Sequence, residues 1–205
     1  MNRDLTDRHP DLAAVLLAGG KSRRMGCDKA LLRLGGRPFA LLLAERLQEL
    51  TDQVLLSANE PSAYSFLGLP AVTDLYPGCG PMAGVHAALR HTARSMMLVL
   101  ACDLPGATSR LLRSLIGCAA GFDAVVPVTS DGLLHPVCSL YRRSCLPVIE
   151  EKLRSGENQM LGLLDSRQLR VRRLSSGEGG FSDVELLDVD TPEDYLRCLA
   201  RMAPE

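Results

Sequence analysis

Apolar and polar residues follow one another along the chain in two distinct rhythms. Four short, continuous apolar runs are typical of strands buried on both faces of a sheet; they span residues 13–18, 53–58, 96–101 and 124–128. Between them, apolar residues recur every three or four positions, which predicts amphipathic helices over residues 38–50, 82–91, 109–118 and 144–154. The chain therefore alternates strands with helices.

Weaker patterns complete the set of elements. One short apolar run, one strand that could be antiparallel and one half-exposed strand rich in arginine are predicted at residues 71–73, 136–141 and 169–174. The last helix begins with Thr191 as N-cap and Pro192 in the first turn. We predict a single α/β domain over residues 1–205, with a mainly parallel twisted sheet, helices on both faces and a frayed start at residues 1–10.

Charge and composition exclude several classes of function. The 23 Lys and Arg residues are balanced by 24 Asp and Glu, whereas a broad nucleic-acid or membrane surface needs a positive excess. Tryptophan is absent and aromatic residues make up 4%, which is too few for an aromatic surface on which the bases of single-stranded nucleic acid could stack. The seven cysteines include no C-x-x-C pair, and no signal peptide or transmembrane run is recognisable. We expect a cytoplasmic protein that binds neither nucleic acid nor membranes.

The first strand runs into a glycine-rich loop, LAGGKSRRMGCDK, at residues 17–29. At the carboxyl end of a parallel strand, glycine lets backbone N–H groups approach a phosphate closely. Arg24 and Lys29 add positive charge from the same loop, so the loop suits a nucleoside triphosphate. The alternative is that Gly19 and Gly20 form only a tight turn and that the cations are solvated.

Two familiar phosphate-binding loops are excluded by spacing. A P-loop requires glycine where this chain has Val15, so the sequence GKS at residues 20–22 is not its final part. The dinucleotide fingerprint requires a glycine where this chain has Lys21. The chain is therefore predicted to be neither a P-loop NTPase nor an ordinary Rossmann dehydrogenase.

Two carboxylates follow predicted strands. Asp103 comes directly after residues 96–101, at an edge where it can meet the glycine loop, and Mg²⁺ prefers one or two carboxylates together with phosphate oxygens. Asp74 precedes the glycine-rich segment 78–84, where it could accept hydrogen bonds from a ribose or from guanine N–H groups. The alternatives are that Asp103 caps the next turn and that the segment after Asp74 is only a helix N-terminus at Pro81.

The glycine loop resembles the signature of the molybdenum cofactor guanylyltransferases, the bacterial enzymes that attach GMP to molybdopterin. The family pattern L-A-G-G-x-S/A-x-R-M-G, followed by D-K, is matched at residues 17–29. Residues 74–84, 102–105 and 188–192 are similar to three further family motifs in the same order. Related cytidylyltransferases usually carry L-A-A-G, so Gly19 favours guanine. The resemblance implies a Rossmann-like nucleotidyltransferase fold.

The resemblance also implies particular site residues. Catalysis would fall to Arg24, Lys29 and Asp103, and Mg²⁺ would be held by Asp103, with Asp190 as a weaker second ligand. The nucleotide would be bound by residues from several motifs: Leu17, Ala18, Gly19, Gly20, Lys29, Asn59, Asp74, Gly84 and Asp103. For Asp190, the alternative is that it merely starts the last helix.

Two more features are open to interpretation. His135 with Pro136 resembles the family's H-P dipeptide, on the side that faces the pterin. A basic stripe is formed by Arg167, Arg170, Arg172 and Arg173. A solvated edge strand guarded by charge is the favoured interpretation of the stripe, and docking of the anionic cofactor or a partner protein is the alternative.

The activity implied by the resemblance is transfer of GMP from GTP to the terminal phosphate of molybdopterin, with release of pyrophosphate. GTP and molybdopterin would be the substrates, and contacts with molybdoenzyme chaperones or other cofactor-biosynthesis proteins would be transient. Three alternatives remain open: CTP-dependent transfer to molybdopterin, transfer to another sugar or alcohol phosphate, and a nucleotide-binding partner without catalysis.

Overall fold

The computed structural model describes residues 8–18 and 25–202. Within them the strands are β1 Leu12–Leu17, β2 Arg33–Leu34, β3 Arg37–Pro38, β4 Gln53–Ser57, β5 Ala71–Val72, β6 Met96–Ala101, β7 Ala124–Val128, β8 Cys138–Arg142 and β9 Val171–Ser175. The α-helices are α1 Phe39–Gln48, α2 Pro81–His91, α3 Ser109–Gly117, α4 Leu146–Ser155, α5 Met160–Leu164, α6 Ser176–Gly179 and α7 Pro192–Met202. Short 3₁₀ turns lie at Lys29–Leu31, Pro61–Leu67, Arg143–Cys145 and Asp183–Leu186.

Seven of these strands form one sheet in the order β5-β4-β1-β6-β8-β7-β9. Strand β1 runs parallel to β4 and β6, with Val15 opposite both Leu55 and Val99. Strand β8 is antiparallel to β6 and β7, and β9 is parallel to β7. Six strands therefore share one direction, which confirms the mainly parallel sheet and the antiparallel strand after residue 135.

The sheet is covered on both faces because its central strands are apolar at every position. All residues of β1 and β6 are buried. Alternate side chains point to opposite faces: Leu16 joins a core with α1 and α3, whereas Val15 joins a second core with α2 and α4. Burying one such Leu or Val stabilises the fold by about 1.5–3 kcal/mol, so this unbroken apolar pattern requires helices on both sides.

The carboxyl ends of β1, β4, β5 and β6 lie at one edge of the sheet, and the C-terminal segment joins them there. The backbone N–H of Val189 donates to the carbonyl of Asp103 at 2.8 Å. Val189 is buried in a third, smaller core with Phe39 and Cys198. The predicted last helix is confirmed: Asp194 N–H donates to Thr191 Oγ1 at 3.2 Å, which caps α7.

Several local expectations need correction or stay untested. The sequence SSGEGG at residues 175–180 is typical of a flexible loop, but residues 176–179 form the one-turn helix α6; Gly179 packs so closely on Phe181 that an added Cβ would lie 2.4 Å from its ring. Most of the predicted frayed start lies outside the described residues, but His9 N–H donates to Leu50 O at 2.9 Å. The single domain stays a prediction. Across residues 8–18 and 25–202, no helix is long and apolar enough to cross a bilayer.

Candidate active site

Three of the predicted site residues meet at the carboxyl edge of the sheet. The Lys29 ammonium lies 3.5 Å from Asp103 Oδ2 and donates a hydrogen bond to Asp190 Oδ1. The Lys29 side chain is 13% exposed, against 27% for Asp103 and 33% for Asp190. The group is thus half-buried in a cleft, where charges interact more strongly than they do in open water.

The backbone explains why the two aspartates are neighbours. Asp103 follows the end of β6, and Cys102 N–H donates to the carbonyl of Leu17 in β1 at 3.0 Å. The hydrogen bond from Val189 to Asp103 then places an extended stretch beside this turn. In an extended stretch alternate side chains share a side. The apolar Val189 therefore enters the core, and Asp188 and Asp190 flank it.

Electrostatics couple the group tightly. Burial raises the pKa of Asp103, and the charge of Lys29 opposes that shift. Burial disfavours the charge of Lys29, but hydrogen bonds and charges from Asp190 and Asp103 outweigh it and raise the pKa of Lys29. Desolvation in the cleft, followed by the charges of Asp103 and Asp190, raises the pKa of Asp188 to about 7, although part of Asp188 is open to solvent. The carboxylates in the cleft therefore outnumber the single charge of Lys29, which leaves negative charge that a further cation can neutralise.

Asp103 fits the role of a metal ligand. Its Oδ1 is buried and has no hydrogen-bond partner among residues 8–18 and 25–202, which is costly for a carboxylate unless a cation or donor meets it. In the part of the chain that the structure describes, no set of three or more His, Cys, Asp or Glu side chains has metal-binding geometry. Mg²⁺ normally takes only one or two carboxylates when phosphates supply other ligands. The donors present thus fit a divalent cation that is held jointly with a nucleotide.

A second group of predicted residues lies where β1, β4 and α2 meet. Ala18 N–H, just beyond β1, donates to Ser57 O at 2.9 Å. Gly84, in the first turns of α2, is packed against this junction: an added Cβ would lie 2.5 Å from Ser57 Oγ and 3.0 Å from Leu17 Cδ2. Only glycine therefore lets the first turns of α2 come so close to the end of β1.

Asp74 and Asn59 lie on the β4–β5 side of the same edge. Asn59 is exposed just after β4. Asp74 Oδ1 is buried without a hydrogen-bond partner in the described part of the chain, and burial raises the pKa of Asp74 while the charge of His86 opposes the shift. His86 is 1% exposed, contacts the Tyr76 ring edge-on and pairs with Glu150 at 3.1 Å. The structure thus places Asp74 with His86, apart from the Lys29 group.

On the other side of the Lys29 group lies a cavity of about 470 Å³. Its lining includes Asp188, Asp190, Asp183 and His135. His135 is 4% exposed, and its Nε2 has no hydrogen-bond partner among the residues that the structure describes. Burial lowers the pKa of His135, against the opposing charges of Asp131 and Asp183. A ligand in this cavity would meet one neutral imidazole and several carboxylates.

The arginine stripe is largely neutralised by ion pairs. β9 is the edge strand of the sheet. Arg170 lies 3.3 Å from Asp123, Arg173 lies 3.3 Å from Asp165, and Arg172 pairs with Glu178. These pairs favour the interpretation of a charged, solvated edge over a docking surface for an anion.

Some predicted residues cannot be placed, and some neighbours were missed. Gly19, Gly20 and Arg24 lie outside the described residues. Sequence reasoning missed Asp188 as a member of the acidic group, although the alternation D-V-D over residues 188–190 was a usable signal. It also missed the hydrogen bond from Tyr64 to Asp28, for which the sequence holds no periodic signal.

A lysine and carboxylates that meet at the carboxyl edge of a mainly parallel sheet are an arrangement that suits a nucleotidyltransferase of the α/β class. More narrowly, the chain belongs to the family of the MobA-like NTP transferase domain, whose model matches residues 14–171. It is therefore an enzyme of the nucleotidyltransferase type, and its predicted membership of this family is confirmed.

Individual relatives agree with that assignment. The chain is 34% identical over 190 residues to a protein of Carboxydothermus hydrogenoformans named "Probable molybdenum cofactor guanylyltransferase", with 92% of this chain and 95% of that protein covered. Molybdopterin-guanine dinucleotide biosynthesis protein A of Archaeoglobus fulgidus superposes with a TM-score of 0.78 at 25% identity, covering 92% and 97%. A Mycobacterium tuberculosis protein solved in complex with manganese superposes at 0.67 with 25% identity, covering 92% and 98%.

Proposed function

We propose that the chain transfers GMP from GTP to the terminal phosphate of molybdopterin and releases pyrophosphate. The observation that carries the proposal is the half-buried contact of Lys29 with Asp103 and Asp190 at the edge where β1, β6 and the C-terminal segment meet. The names of the relatives supply the identity of the substrates.

The nucleotide is assigned to the β1–β4–α2 side of the cleft. Leu17, Ala18 and Gly84 form the close junction there, and Asp74 offers a buried carboxylate oxygen without a partner. Such an oxygen can accept from guanine N–H groups or from ribose hydroxyls. Gly19, Gly20 and Arg24 remain part of the proposal through the sequence motif alone.

The chemistry needs positioning and charge neutralisation more than covalent help. An oxygen of the terminal phosphate of molybdopterin attacks the α-phosphorus of GTP, the bond to the β-phosphate oxygen breaks, and pyrophosphate departs with those electrons. No covalent protein intermediate is needed for such a transfer. Lys29 supplies fixed positive charge beside the reacting phosphates, where charge develops in the transition state. When bound at Asp103, Mg²⁺ would supply further charge neutralisation on the phosphate oxygens.

The acceptor is assigned to the cavity lined by His135 and the carboxylates. The cavity of about 470 Å³ adjoins Asp188 and Asp190 and therefore adjoins the Lys29 group. A ring with several N–H donors could be bound by these acceptors, and its phosphate could reach Lys29. The proposal also includes a cytoplasmic location, which the seven free cysteines favour, and transient contacts with chaperones or other cofactor-biosynthesis proteins.

The proposed transfer is tested with GTP that carries an isotopic label on its α-phosphate. With GTP labelled at that position, Mg²⁺ and molybdopterin, the label should enter a pterin dinucleotide in step with pyrophosphate release. Neither product should form without molybdopterin, and Asp103→Asn should lose both. Release of inorganic phosphate instead of pyrophosphate, or transfer only from CTP, would overturn the assignment.

A further inference from the structure

Lys29 reaches the two aspartates from a very short element. The 3₁₀ turn Lys29–Leu31 has only three residues, and such a turn does not hold its shape without outside support. Its support is Asp28: Oδ1 accepts from Ala30 N–H at 3.0 Å, and the Asp28 carbonyl accepts from Leu31 N–H at 3.1 Å. The direction of Lys29 therefore depends on the orientation of Asp28.

The second oxygen of Asp28 is held by a residue far along the chain. Tyr64 Oη donates to Asp28 Oδ2 at 2.6 Å, within the range of charge-assisted O–H···O⁻ hydrogen bonds. Tyr64 is 6% exposed, and burial, together with the hydrogen bond to Asp28, raises the pKa of its phenol, so it remains a donor. The 3₁₀ segment Pro61–Leu67 kinks at Tyr64, where φ is −115°.

We propose that Tyr64 is a positioning residue for catalysis: through Asp28 it holds the turn that directs Lys29 at Asp103 and Asp190. Tyr64 need not contact a substrate for this role. The inference rests on the proposed function only in taking Lys29 as the cation that serves the transferred phosphate. The hydrogen bond between Tyr64 and Asp28 also joins the segment after β4 to the end of the glycine loop.

The expected effect of Tyr64→Phe on kcat follows from the role of the Tyr64 hydroxyl. Without it, one oxygen of Asp28 loses its partner, the carboxylate gains rotational freedom, and the Lys29 ammonium is no longer fixed. Residues that orient a catalytic group without contacting the substrate typically contribute about 10–100-fold to activity. Tyr64→Phe should therefore lower kcat by about tenfold or more, with the KM for GTP changed less than about twofold.

The chain offers a matched control. Tyr141 is fully buried on the opposite face of the sheet, and its hydroxyl donates to Pro136 O at 2.8 Å. Tyr141→Phe likewise removes one buried tyrosine hydroxyl and its hydrogen bond, here to a backbone carbonyl instead of a carboxylate, so melting temperatures of the two variants report the cost to the fold. Tyr141→Phe should keep the wild-type kcat. An unchanged kcat in Tyr64→Phe, or an equal loss in Tyr141→Phe, would overturn the proposal.

The route through Asp28 is tested by a double-mutant cycle. Asp28→Ala removes the acceptor, so adding Tyr64→Phe to it should lower kcat by less than about twofold further. If the losses in kcat of the two single variants multiply in full in the double variant, Tyr64 does not act through Asp28 and the proposal is wrong.

A spectroscopic measurement separates this proposal from the proposed function. The chain has three lysines, Lys21, Lys29 and Lys152, so a protein labelled with ¹³C at lysine Cε gives few signals, and Lys29→Arg assigns one of them. Tyr64→Phe should move the Lys29 signal towards that of a solvated lysine, and Tyr141→Phe should not. This readout needs no substrate. An inactive wild type would overturn the proposed function, whereas an unmoved Lys29 signal would overturn the positioning role.

Discussion

Asp103 and Asp190 both contact the Lys29 ammonium but differ in their surroundings. Among the described residues, Asp103 Oδ1 is buried without a hydrogen-bond partner, whereas Asp190 precedes a capped helix and its backbone N–H donates to Asp194 at 3.2 Å. An oxygen that is left without a donor in the protein is the one that a metal ion or substrate can use. Asp103 is therefore the more direct participant.

We expect Asp103→Asn to lower kcat by roughly 10²–10³, by comparison with the loss of other single charge-stabilising groups, and Asp190→Asn to lower it less. The circular dichroism spectrum should be unchanged in both variants. Measuring steady-state kinetics beside the spectra checks this. A larger loss in Asp190→Asn, or a loss of secondary structure in Asp103→Asn that matches its loss of activity, would contradict the assignment.

Gly84 gives a second prediction for a single residue. Because an added Cβ would lie 2.5 Å from Ser57 Oγ, Gly84→Ala must push α2 away from the end of β1. We expect a loss of about 1–3 kcal/mol in the free energy of unfolding and weaker binding of GTP, measured by denaturant titration and calorimetry.

Gly162 is the matched control for this prediction. It lies within α5 and has open space where a Cβ would be. Gly162→Ala should leave GTP binding unchanged and stabilise the fold by about 0.5–1 kcal/mol. Equal GTP affinity in Gly84→Ala and wild type would show that the junction does not serve the nucleotide.

Among the elements, the long ones were predictable from the sequence, as was the two-residue strand β5, whereas the shortest turns and helices were not. Strands β1 and β6 are continuous apolar runs, and α3 and α7 carry capping threonines, so local sequence specifies them. The turn Lys29–Leu31 and helix α6 have three and four residues, too few for a periodic signal. They are held by distant partners, such as Tyr64 for the turn, which no local pattern reveals.

The junction of β7, β9 and α4 gives a prediction at this scale. Asp123 accepts from Arg170 N–H at 2.9 Å and from Ser144 Oγ at 2.7 Å, and these bonds, the first above all, lower its pKa. Because folding lowers the pKa, the ionised carboxylate favours the folded state. Its contribution is complete at neutral pH and is lost as the pH falls below the ordinary value of 3.8 and through the lower folded value.

Asp123→Asn should therefore lower the free energy of unfolding by about 1–2 kcal/mol at pH 7, and the difference from wild type should shrink towards pH 3. Denaturant titrations at several pH values measure it. Asp52→Asn is the control, since Asp52 is 63% exposed and forms only a surface pair with Arg94; it should change stability by less than about 0.5 kcal/mol. A difference for Asp123→Asn that did not vary with pH would contradict the argument.

For the whole molecule, the site is a product of topology. Parallel strands bring the residues after β1, β4, β5 and β6 to one edge, so the alternation of strands and helices was enough to predict that Asp103 lies at the same edge as the end of β1, and its contact with Lys29 agrees with this. The docking of residues 188–190 beside Asp103 was not predictable from periodicity, because it depends on a hydrogen bond between segments far apart in the chain. Only the family resemblance pointed to Asp190, and Asp188 was missed.

The same topology separates two sides of the cleft, with the β1–β4–α2 junction on one side of the Lys29 group and the cavity with His135 on the other. We propose that the nucleotide binds on the first side and the pterin on the second. Transfer of GMP would then take place between them, beside Lys29 and Asp103.

The most direct test is one reaction that contains molybdopterin, Mg²⁺ and equal concentrations of GTP and CTP, with the products identified by mass spectrometry. We expect a molybdopterin guanine dinucleotide in large excess, formed in step with pyrophosphate. A predominant cytosine dinucleotide would contradict the choice of guanine, and the absence of any pterin dinucleotide would contradict the transfer itself.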